Sequence, residues 1–171
     1  MKKTICFLLI ILSGSLAALA QPQQQDPELE FVLQLKVKLG QAYGIGQTAH
    51  GNRFIIPIIG GIFEGPDIRG EVLNGGADYQ LQNNEMKRTE VEAIYCIRTD
   101  DGVNIHIRNN GIIANDAGKN YFYCSPKFEA PADSKYAWLN NAIYVCRPAG
   151  FEEGAIILKV WKVRDALSKQ Q

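Results

Sequence analysis

Two carboxylates stand out because their surroundings do not fit a plain, solvent-facing strand. Glu64 follows Phe63 in a glycine-rich stretch, and Asp78 comes shortly after the paired glycines Gly75 and Gly76. A carboxylate beside an arginine is held ionised, whereas one in an apolar wall has a raised pKa and can act as an acid or a base. We therefore interpret Glu64 and Asp78 as the candidate catalytic residues.

Other side chains from separate segments could complete a pocket around these carboxylates. Aromatic residues would form its apolar walls, and a few amide and charged groups would orient a ligand, which is the usual composition of a small-molecule site. Arg98 and Asn140 could also stabilise an enolate-like oxygen. The candidate binding residues are Phe63, Tyr95, Arg98, Asn109, Tyr123, Glu129, Trp138 and Asn140.

A purely structural role is an open alternative for each of these residues. Asp78 could accept backbone N–H bonds at a bend, Glu64 and Arg98 could form an ion pair, and Asn140 could cap a bulge. The familiar catalytic signatures are absent, because the chain contains neither GxSxG nor HExxH and has only 2 histidines. We therefore expect no metal and no cofactor, and nucleophilic catalysis is a poor fit.

The elements that must position these groups are strands. Phe31 to Lys38 and Val103 to Asn109 alternate apolar and polar residues, as half-buried strands do. About eight or nine such runs are separated by turn signals, and no convincing amphipathic helix interrupts them. Gly40 to Asn52 and Ala114 to Asn120 are predicted to be loops, and Tyr136 to Asn140 is predicted to open a strand. The pattern predicts an all-β barrel or sandwich.

Glycine and proline between Ile55 and Asp78 predict bends in the sheet. Pro57 cannot donate to a strand ladder, and Gly60-Gly61 in a strand pattern indicates a bulge, a tight bend or a close approach of another backbone. Small barrels need such bends at their corners. A phosphate cradle is not indicated, because the stretch has no GxxxxGK[ST] and no strand–GxGxxG–helix unit.

Three motifs in order carry a resemblance to a known family. They are GGxFEGxxxxGEVLxGGADY from Gly60, YxIRTDDGxxIxIRNxG from Tyr95, and YAWLN from Tyr136. The chain from about Phe31 onward resembles the domain of unknown function 3237 family, also called uncharacterised protein family 0311. Tyr79 stands where many family members have tryptophan. The resemblance implies a single antiparallel β-barrel of lipocalin-like shape and implies no established activity.

The first residues predict export. Lys2 and Lys3 precede an apolar run that ends in Ala18-Leu19-Ala20, which fits a secretory signal peptide cleaved before Gln21. We therefore expect a signal peptide over 1–20, a disordered leader over 21–28, a barrel domain over 29–165 and a flexible tail over 166–171. The protein would be periplasmic or secreted, with no membrane insertion after cleavage.

Charge and cysteine content limit the partners. Loss of Lys2 and Lys3 leaves 16 basic against 18 acidic residues, so no basic surplus favours nucleic acid or anionic lipid. The oligomeric state is left open.

Cys96, Cys124 and Cys146 remain after cleavage, and because three is odd, at most one intramolecular disulfide can form. Buried free thiols are an equally good interpretation, and no zinc or redox spacing is present.

Two functional hypotheses follow from these residues, beside the plainer alternative of an envelope protein with no small ligand. In the first, the exported barrel binds a small apolar or aromatic molecule in its interior. In the second, it is a cofactor-free lyase or isomerase in which Asp78 or Glu64 acts as general base. An interior cavity lined by one of these carboxylates, with an arginine or asparagine across from it, would favour the enzyme; a purely apolar lining would favour the binding protein.

Overall fold

A computed structural model describes residues 26–116 and 118–166, which form an all-β fold. The predicted signal peptide (1–20), most of the leader and the tail beyond Ala166 lie outside the described residues. A single 3-10 helix occurs in the described part, at Ala137–Asn141. The strands are β1 (Glu28–Leu39), β2 (Tyr43–Thr48), β3 (Gly51–Glu64), β4 (Arg69–Val72), β5 (Gly76–Asn83), β6 (Arg88–Thr99), β7 (Asn104–Asp116), β8 (Lys119–Glu129), β9 (Tyr144–Glu152) and β10 (Ala155–Arg164).

The strands pair antiparallel and close into a ring, which confirms the barrel. The order is β1-β10-β9-β8-β7-β6-β4-β3, and β1 closes the ring by pairing with β3, where Leu35 lies opposite Phe63. β4 and β5 share one position in the ring, between β3 and β6. β4 pairs with the second half of β3, and β5 pairs with the first half of β3. β2 pairs with β3 outside the ring. Closure leaves few open strand edges.

The bend predicted at Gly60-Gly61 lies in the middle of β3, where the strand changes partners. Gly61 has φ of 142°, and a Cβ atom there would lie 2.1 Å from the backbone oxygen of Lys36. The register with β1 shifts at the same point, because Lys38 pairs with Gly60 and Leu39 pairs with Ile58. Only glycine tolerates both the dihedral and the contact. The two glycines thus let one long strand serve two partners.

Three local predictions are wrong. Tyr136 to Asn140 does not open a strand, because Asn140 binds the backbone of Ala130 and draws this segment into a 3-10 helix. The predicted loop over Gly40–Asn52 contains β2, whose pairing with β3 overrides the low strand propensity of glycine. The predicted loop over Ala114–Asn120 consists largely of the ends of β7 and β8, which pair as far as Asp116 and Lys119.

The barrel interior is packed at one end and hollow at the other. Leu33 of β1, Ile97 of β6 and Ile105 of β7 are fully buried in the packed end, where Leu139 of the 3-10 helix joins them. Further along β1 the inward-facing Leu39 borders a cavity instead. The packed end fixes the strands, and the hollow end is free for a ligand.

Candidate functional site

An interior cavity of about 160 Å³ occupies the hollow end of the barrel. Phe151, which is 70% exposed, lies on its rim, so the cavity reaches the protein surface. A larger groove of about 740 Å³ runs along the outer face but is open to solvent. We take the interior cavity as the candidate site, because apolar walls with a few converging polar groups are typical of ligand pockets. Its lining residues are Val37, Leu39, Ile56, Ile58, Asp78, Gln80, Val91, Ala93, Tyr95, Asn109, Ile113, Phe122, Cys124, Phe151, Ile156 and Leu158.

Asp78 is the carboxylate of this cavity. It lies on β5, half-buried, with Ile56 opposite on one side and Ala93 opposite on the other. Its carboxylate accepts hydrogen bonds from Gln80 Nε2 at 2.8 Å and from the backbone N–H of Glu92 at 3.2 Å. Burial raises the pKa of Asp78, although both hydrogen bonds act in the opposite direction. Desolvation of the charged form therefore outweighs the two donors.

Asn109 lies in the same row of the barrel wall as Asp78. Ala93 of β6 pairs with Asp78 on one side and with Asn109 of β7 on the other. Neighbouring strands are about 4.8 Å apart, so the two polar residues are separated by about 10 Å along the wall. The methyl group of Ala93 fills little of the space between them. The row therefore presents a carboxyl and an amide on either side of a small apolar floor.

The Asn109 side chain is buried without full hydrogen bonding. The residue is 4% exposed, and Nδ2 makes one long contact of 3.8 Å with Cys146 Sγ. Oδ1 is buried and has no hydrogen-bond partner among the described residues. Leaving a buried acceptor unpaired costs about 1–3 kcal/mol. A thiol both donates and accepts, so the Cys146 side chain can pair with either end of the amide and leave the other end for a ligand.

Tyr95 and Cys124 are neutral walls of the cavity. Tyr95 is 4% exposed, and burial is the main cause that raises the pKa of its hydroxyl, with the nearby Cys146 and Cys124 thiols adding to it. The hydrogen bond with Cys146 and, secondly, burial raise the pKa of the Cys124 thiol. Neither side chain brings a charge into the cavity at neutral pH. Asp78 is thus the carboxyl group of the cavity lining, and burial raises its pKa.

Three of the ten predicted site residues, Asp78, Tyr95 and Asn109, come together in this cavity. The other predicted aromatic walls lie elsewhere. Phe63 is buried in the packed end, and Trp138 lies on the 3-10 helix, 36% exposed, while its neighbour Leu139 takes the inward position. Tyr123 faces the outer groove, with the Arg147 guanidinium 5.8 Å from its ring. Strand alternation turns Tyr123 outward because Phe122 and Cys124 face inward.

The remaining polar candidates lie on the outer face or in structural contacts. Glu64 is exposed, because it follows the inward-facing Phe63 in β3. Arg98 does not pair with Glu64; it contacts Glu71 at 3.4 Å and donates to Asn104 Oδ1 at 3.0 Å. The remaining two candidates keep to local contacts: Glu129 is exposed, 3.8 Å from His106, and Asn140 accepts from Ala130 N at 2.8 Å and donates to Ala130 O at 2.9 Å.

Sequence reasoning missed several residues that line the cavity. Gln80 has the same strand phase as Asp78, and the alternation along β5 would have placed it beside the carboxylate. Phe122 shares the inward phase of Cys124, whereas the prediction chose the neighbouring Tyr123. Ala93 carries no chemical signal of its own, and only the register across β5, β6 and β7 reveals its position.

Two kinds of site or segment were not found in the described part of the chain. No group of three or more His, Cys, Asp or Glu side chains within residues 26–116 and 118–166 is placed to hold a metal ion. No helix in these same ranges is long and apolar enough to cross a membrane.

A family model described as "Protein of unknown function (DUF3237)" matches residues 27–163. The chain belongs to the DUF3237 family. A UPF0311 protein of Clostridium acetobutylicum is 35% identical over 154 residues, which cover 81% of this chain and 96% of the relative. A solved structure from Acinetobacter baumannii, described as a beta-barrel like protein, has a TM-score of 0.76 at 28% identity and covers 84% of this chain and 100% of that one.

One relative of this DUF3237 protein is named for a reaction. A hydroalkoxylation enzyme of Penicillium herquei is 28% identical over 143 residues, which cover 80% of this chain and 84% of the relative. In the cavity of this chain, the carboxyl group of Asp78 has a raised pKa, and the amide of Asn109 lies about 10 Å along the wall.

Proposed function

We propose that this protein is a cofactor-free isomerase or lyase that acts on a small, mostly apolar molecule inside the barrel, with Asp78 as general acid–base. One observation carries the proposal: a carboxyl of raised pKa and an amide with an unpaired buried acceptor share one row of an otherwise apolar cavity. The buried Asp78 carboxyl and the unpaired Asn109 acceptor both lower the stability of the fold. A purely structural role therefore explains these two groups poorly.

The size of the cavity limits the reaction. A cavity of 160 Å³ is close to the roughly 150 Å³ apolar cavity that binds one benzene molecule. Hydroalkoxylation adds an alcohol O–H across a carbon–carbon double bond. In a cavity of this size the hydroxyl and the double bond must belong to one molecule, so the reaction is an isomerisation. Atoms and charge balance without a cofactor, because the proton leaves oxygen and returns to carbon.

Each residue would have a defined role in this reaction. The Asp78 carboxylate accepts the hydroxyl proton as the oxygen bonds to the far carbon of an activated double bond, and returns it to the adjacent carbon. For this step the Asn109 amide rotates so that its Oδ1 accepts from the Cys146 thiol, and its NH2 group then donates to the carbonyl oxygen that becomes negative during the addition. The apolar walls exclude water, which strengthens both interactions. Reversal of the same steps is an elimination, which is the lyase form of the proposal.

A binding protein without catalysis is the second candidate. It is favoured by the lining, in which Asp78, Gln80 and Asn109 are the polar residues apart from a tyrosine hydroxyl and a thiol. Such a wall suits an apolar ring with one hydroxyl group. In this case the protein would bind phenol-sized molecules and convert none of them.

The proposal includes export to the periplasm or the medium. The support is the sequence pattern that ends in Ala18-Leu19-Ala20, since a charged start, an apolar run and a small-residue site are read by secretion systems. Amino-terminal sequencing of the protein from its native host would test it. A mature chain that starts at Gln21 supports export, and a chain that retains residues 1–20 in the cytoplasm contradicts it.

The catalytic proposal is tested with 7-hydroxyhept-3-en-2-one, a small open-chain ketone whose hydroxyl adds across its own double bond to give 1-(oxolan-2-yl)propan-2-one. The uncatalysed closure gives equal amounts of both mirror-image products, so an enantiomeric excess measured by chiral chromatography reports the protein alone. We expect an excess with the native chain and none with Asp78→Asn, which keeps the size and the hydrogen bond from Glu92 N. Glu64→Gln is the matched control on the outer face and should retain the excess.

The outcomes separate the two candidates. An excess that survives in Asp78→Asn contradicts the role of Asp78. If the native chain gives no excess but shields the ketone from spontaneous closure, the binding protein is the better account. An Asp78→Asn chain that fails to fold would indicate that the carboxylate is a structural group at the bend.

A further inference from the structure

The seam between β8 and β9 has the fewest registered residue pairs in the described barrel wall. Other neighbouring strands of the ring share three or more registered residue pairs, whereas these two share one, Cys124 with Cys146. The chain between them passes through the 3-10 helix rather than a hairpin turn, so no tight connection fixes their register. The two cysteines are therefore the one registered pair of this seam, which is also joined by the Ser125 hydroxyl donating to Tyr144 O at 3.0 Å.

The positions of the two thiols suit a covalent bond. Directly opposed residues of antiparallel strands have Cα atoms about 4.5–5.5 Å apart, which lies within the range of about 4.4–6.8 Å found in disulfides. Both side chains are buried in the core of the barrel, and the Cys146 thiol is near enough to raise the pKa of Cys124. Gly111 on β7 makes room for this pair, since a Cβ there would lie 2.3 Å from Cys124 Sγ.

The third cysteine cannot join this pair. Cys96 alternates with Tyr95 and Ile97, which face inward, so its side chain lies on the opposite face of β6. It is half-buried and lies in register with His106 of β7, not with either of the other cysteines. The three cysteines of the described residues are thus one facing pair, Cys124 and Cys146, and one separate thiol, Cys96.

We propose that Cys124 and Cys146 are a redox-modifiable pair that closes to a disulfide across the β8–β9 seam, with a small disulfide such as oxidised glutathione as the oxidant. One thiolate attacks a sulfur of the oxidant and releases one glutathione thiol. The second thiolate attacks the mixed disulfide and releases the other. The pair loses two protons and two electrons, and the oxidant becomes two thiols.

Such an oxidant can approach Cys124 from the outer groove. Cys124 is 7% exposed and borders this groove of about 740 Å³, whereas the interior cavity of about 160 Å³ is too small to admit oxidised glutathione. The hydrogen bond with Cys146 and burial raise the pKa of the Cys124 thiol, which makes the reaction slow at neutral pH and faster as the pH rises. This inference does not depend on any activity of Asp78.

The test uses the purified reduced chain that starts at Gln21, which lacks Cys6 and contains three cysteines, incubated with oxidised glutathione at about pH 8.5, near the ordinary pKa of a thiol. We expect two of the three thiols to disappear, the intact mass to fall by about 2 Da, and a digest to contain one linked peptide pair with Cys124 and Cys146. The midpoint of thermal unfolding should rise by roughly 5–10 °C and return after reduction. The Cys96→Ser variant should give the same three results.

Other outcomes overturn the inference. A glutathione adduct confined to Cys96, a bridge that includes Cys96, or three thiols that survive prolonged oxidation would each exclude the pair. A Cys146→Ser variant provides a second measurement. Without the Cys146 thiol to displace it, glutathione should remain on Cys124 as a stable mixed disulfide. If this variant does not fold, peptide mapping of the native chain still decides the question.

Discussion

Replacement of Asn109 by leucine should make the protein more stable while weakening its site. Asn109 is 4% exposed, its Oδ1 has no partner among the described residues, and its Nδ2 contact of 3.8 Å is long. Removing a buried unpaired acceptor recovers about 1–3 kcal/mol, from which the loss of one weak contact must be subtracted. We expect Asn109→Leu to raise the free energy of unfolding by about 1–2 kcal/mol, or the melting midpoint by roughly 3–6 °C.

The same substitution should abolish the preference of the cavity for a hydroxyl group. In the native chain we expect the unpaired Asn109 oxygen to accept a hydrogen bond from phenol, which benzene cannot donate. One such bond in a dry site gives roughly a tenfold difference in Kd. Asn109→Leu should bind benzene at least as tightly as phenol. Titrations that follow the NMR signals of the cavity-lining methyl groups would measure both ligands, and urea unfolding would measure stability.

The neighbouring Asn110 provides the matched control. It is the next residue of β7, but it is exposed on the outer face. Asn110→Leu should change neither the ratio of phenol to benzene affinity nor the stability by more than about 0.5 kcal/mol. Two results would refute the reasoning. One is a loss of stability of about 2 kcal/mol or more in Asn109→Leu, as a defect in core packing would cause. The other is an Asn109→Leu protein that still prefers phenol to benzene.

Three further predictions concern the bend, the cavity floor and the carboxyl group. Gly61→Ala should cost about 3 kcal/mol or more, because its Cβ would meet the Lys36 oxygen at 2.1 Å, whereas Gly46→Ala, with nothing within 4 Å, should cost about 1 kcal/mol in urea unfolding. Equal losses would contradict the close approach. Ala93→Leu should fill the space beside Asp78 and abolish phenol binding in a folded protein; retained binding would place the ligand elsewhere. The raised pKa of Asp78 gives the native chain a stabilising term that is complete below the ordinary pKa of 3.8 and is lost as the pH rises through the folded-state pKa. Asp78→Asn lacks this term, so the free energy of unfolding of the variant, relative to that of the native chain, should increase as the pH rises from 3.8 through the folded-state pKa. A difference that does not change with pH would refute the raised pKa.

Much of the fold could be predicted from alternation, because a strand with one buried face must place apolar residues at every second position. Alternation along β6 and β7 also identifies Tyr95 and Asn109 as residues of one shared side. It does not say which side is the interior, and this is why Tyr123 was chosen instead of Phe122. The pairing of β1 with β3 depends on contacts between distant residues, which no local pattern records.

The site could be predicted only in part for the same reason. Asp78 and Glu64 are both carboxylates in a glycine-rich sequence, but Asp78 faces the interior and Glu64 faces solvent. A shift of one residue along a strand moves a side chain from one face of the sheet to the other, and the sequence alone does not fix that shift. The shared row of Asp78, Ala93 and Asn109 appears only when three strands are in register. The thiol pair of Cys124 and Cys146 likewise depends on a seam between strands that a non-hairpin segment connects.

The central claim is that the row of Asp78 and Asn109 forms a ligand site within the barrel. A crystal structure of the protein soaked with phenol tests this most directly. We predict one phenol molecule over Ala93, with its hydroxyl within hydrogen-bond distance of the Asn109 side chain and its ring against the apolar wall. Phenol bound only in the outer groove, or a cavity that stays closed to it at saturating concentration, would contradict the account.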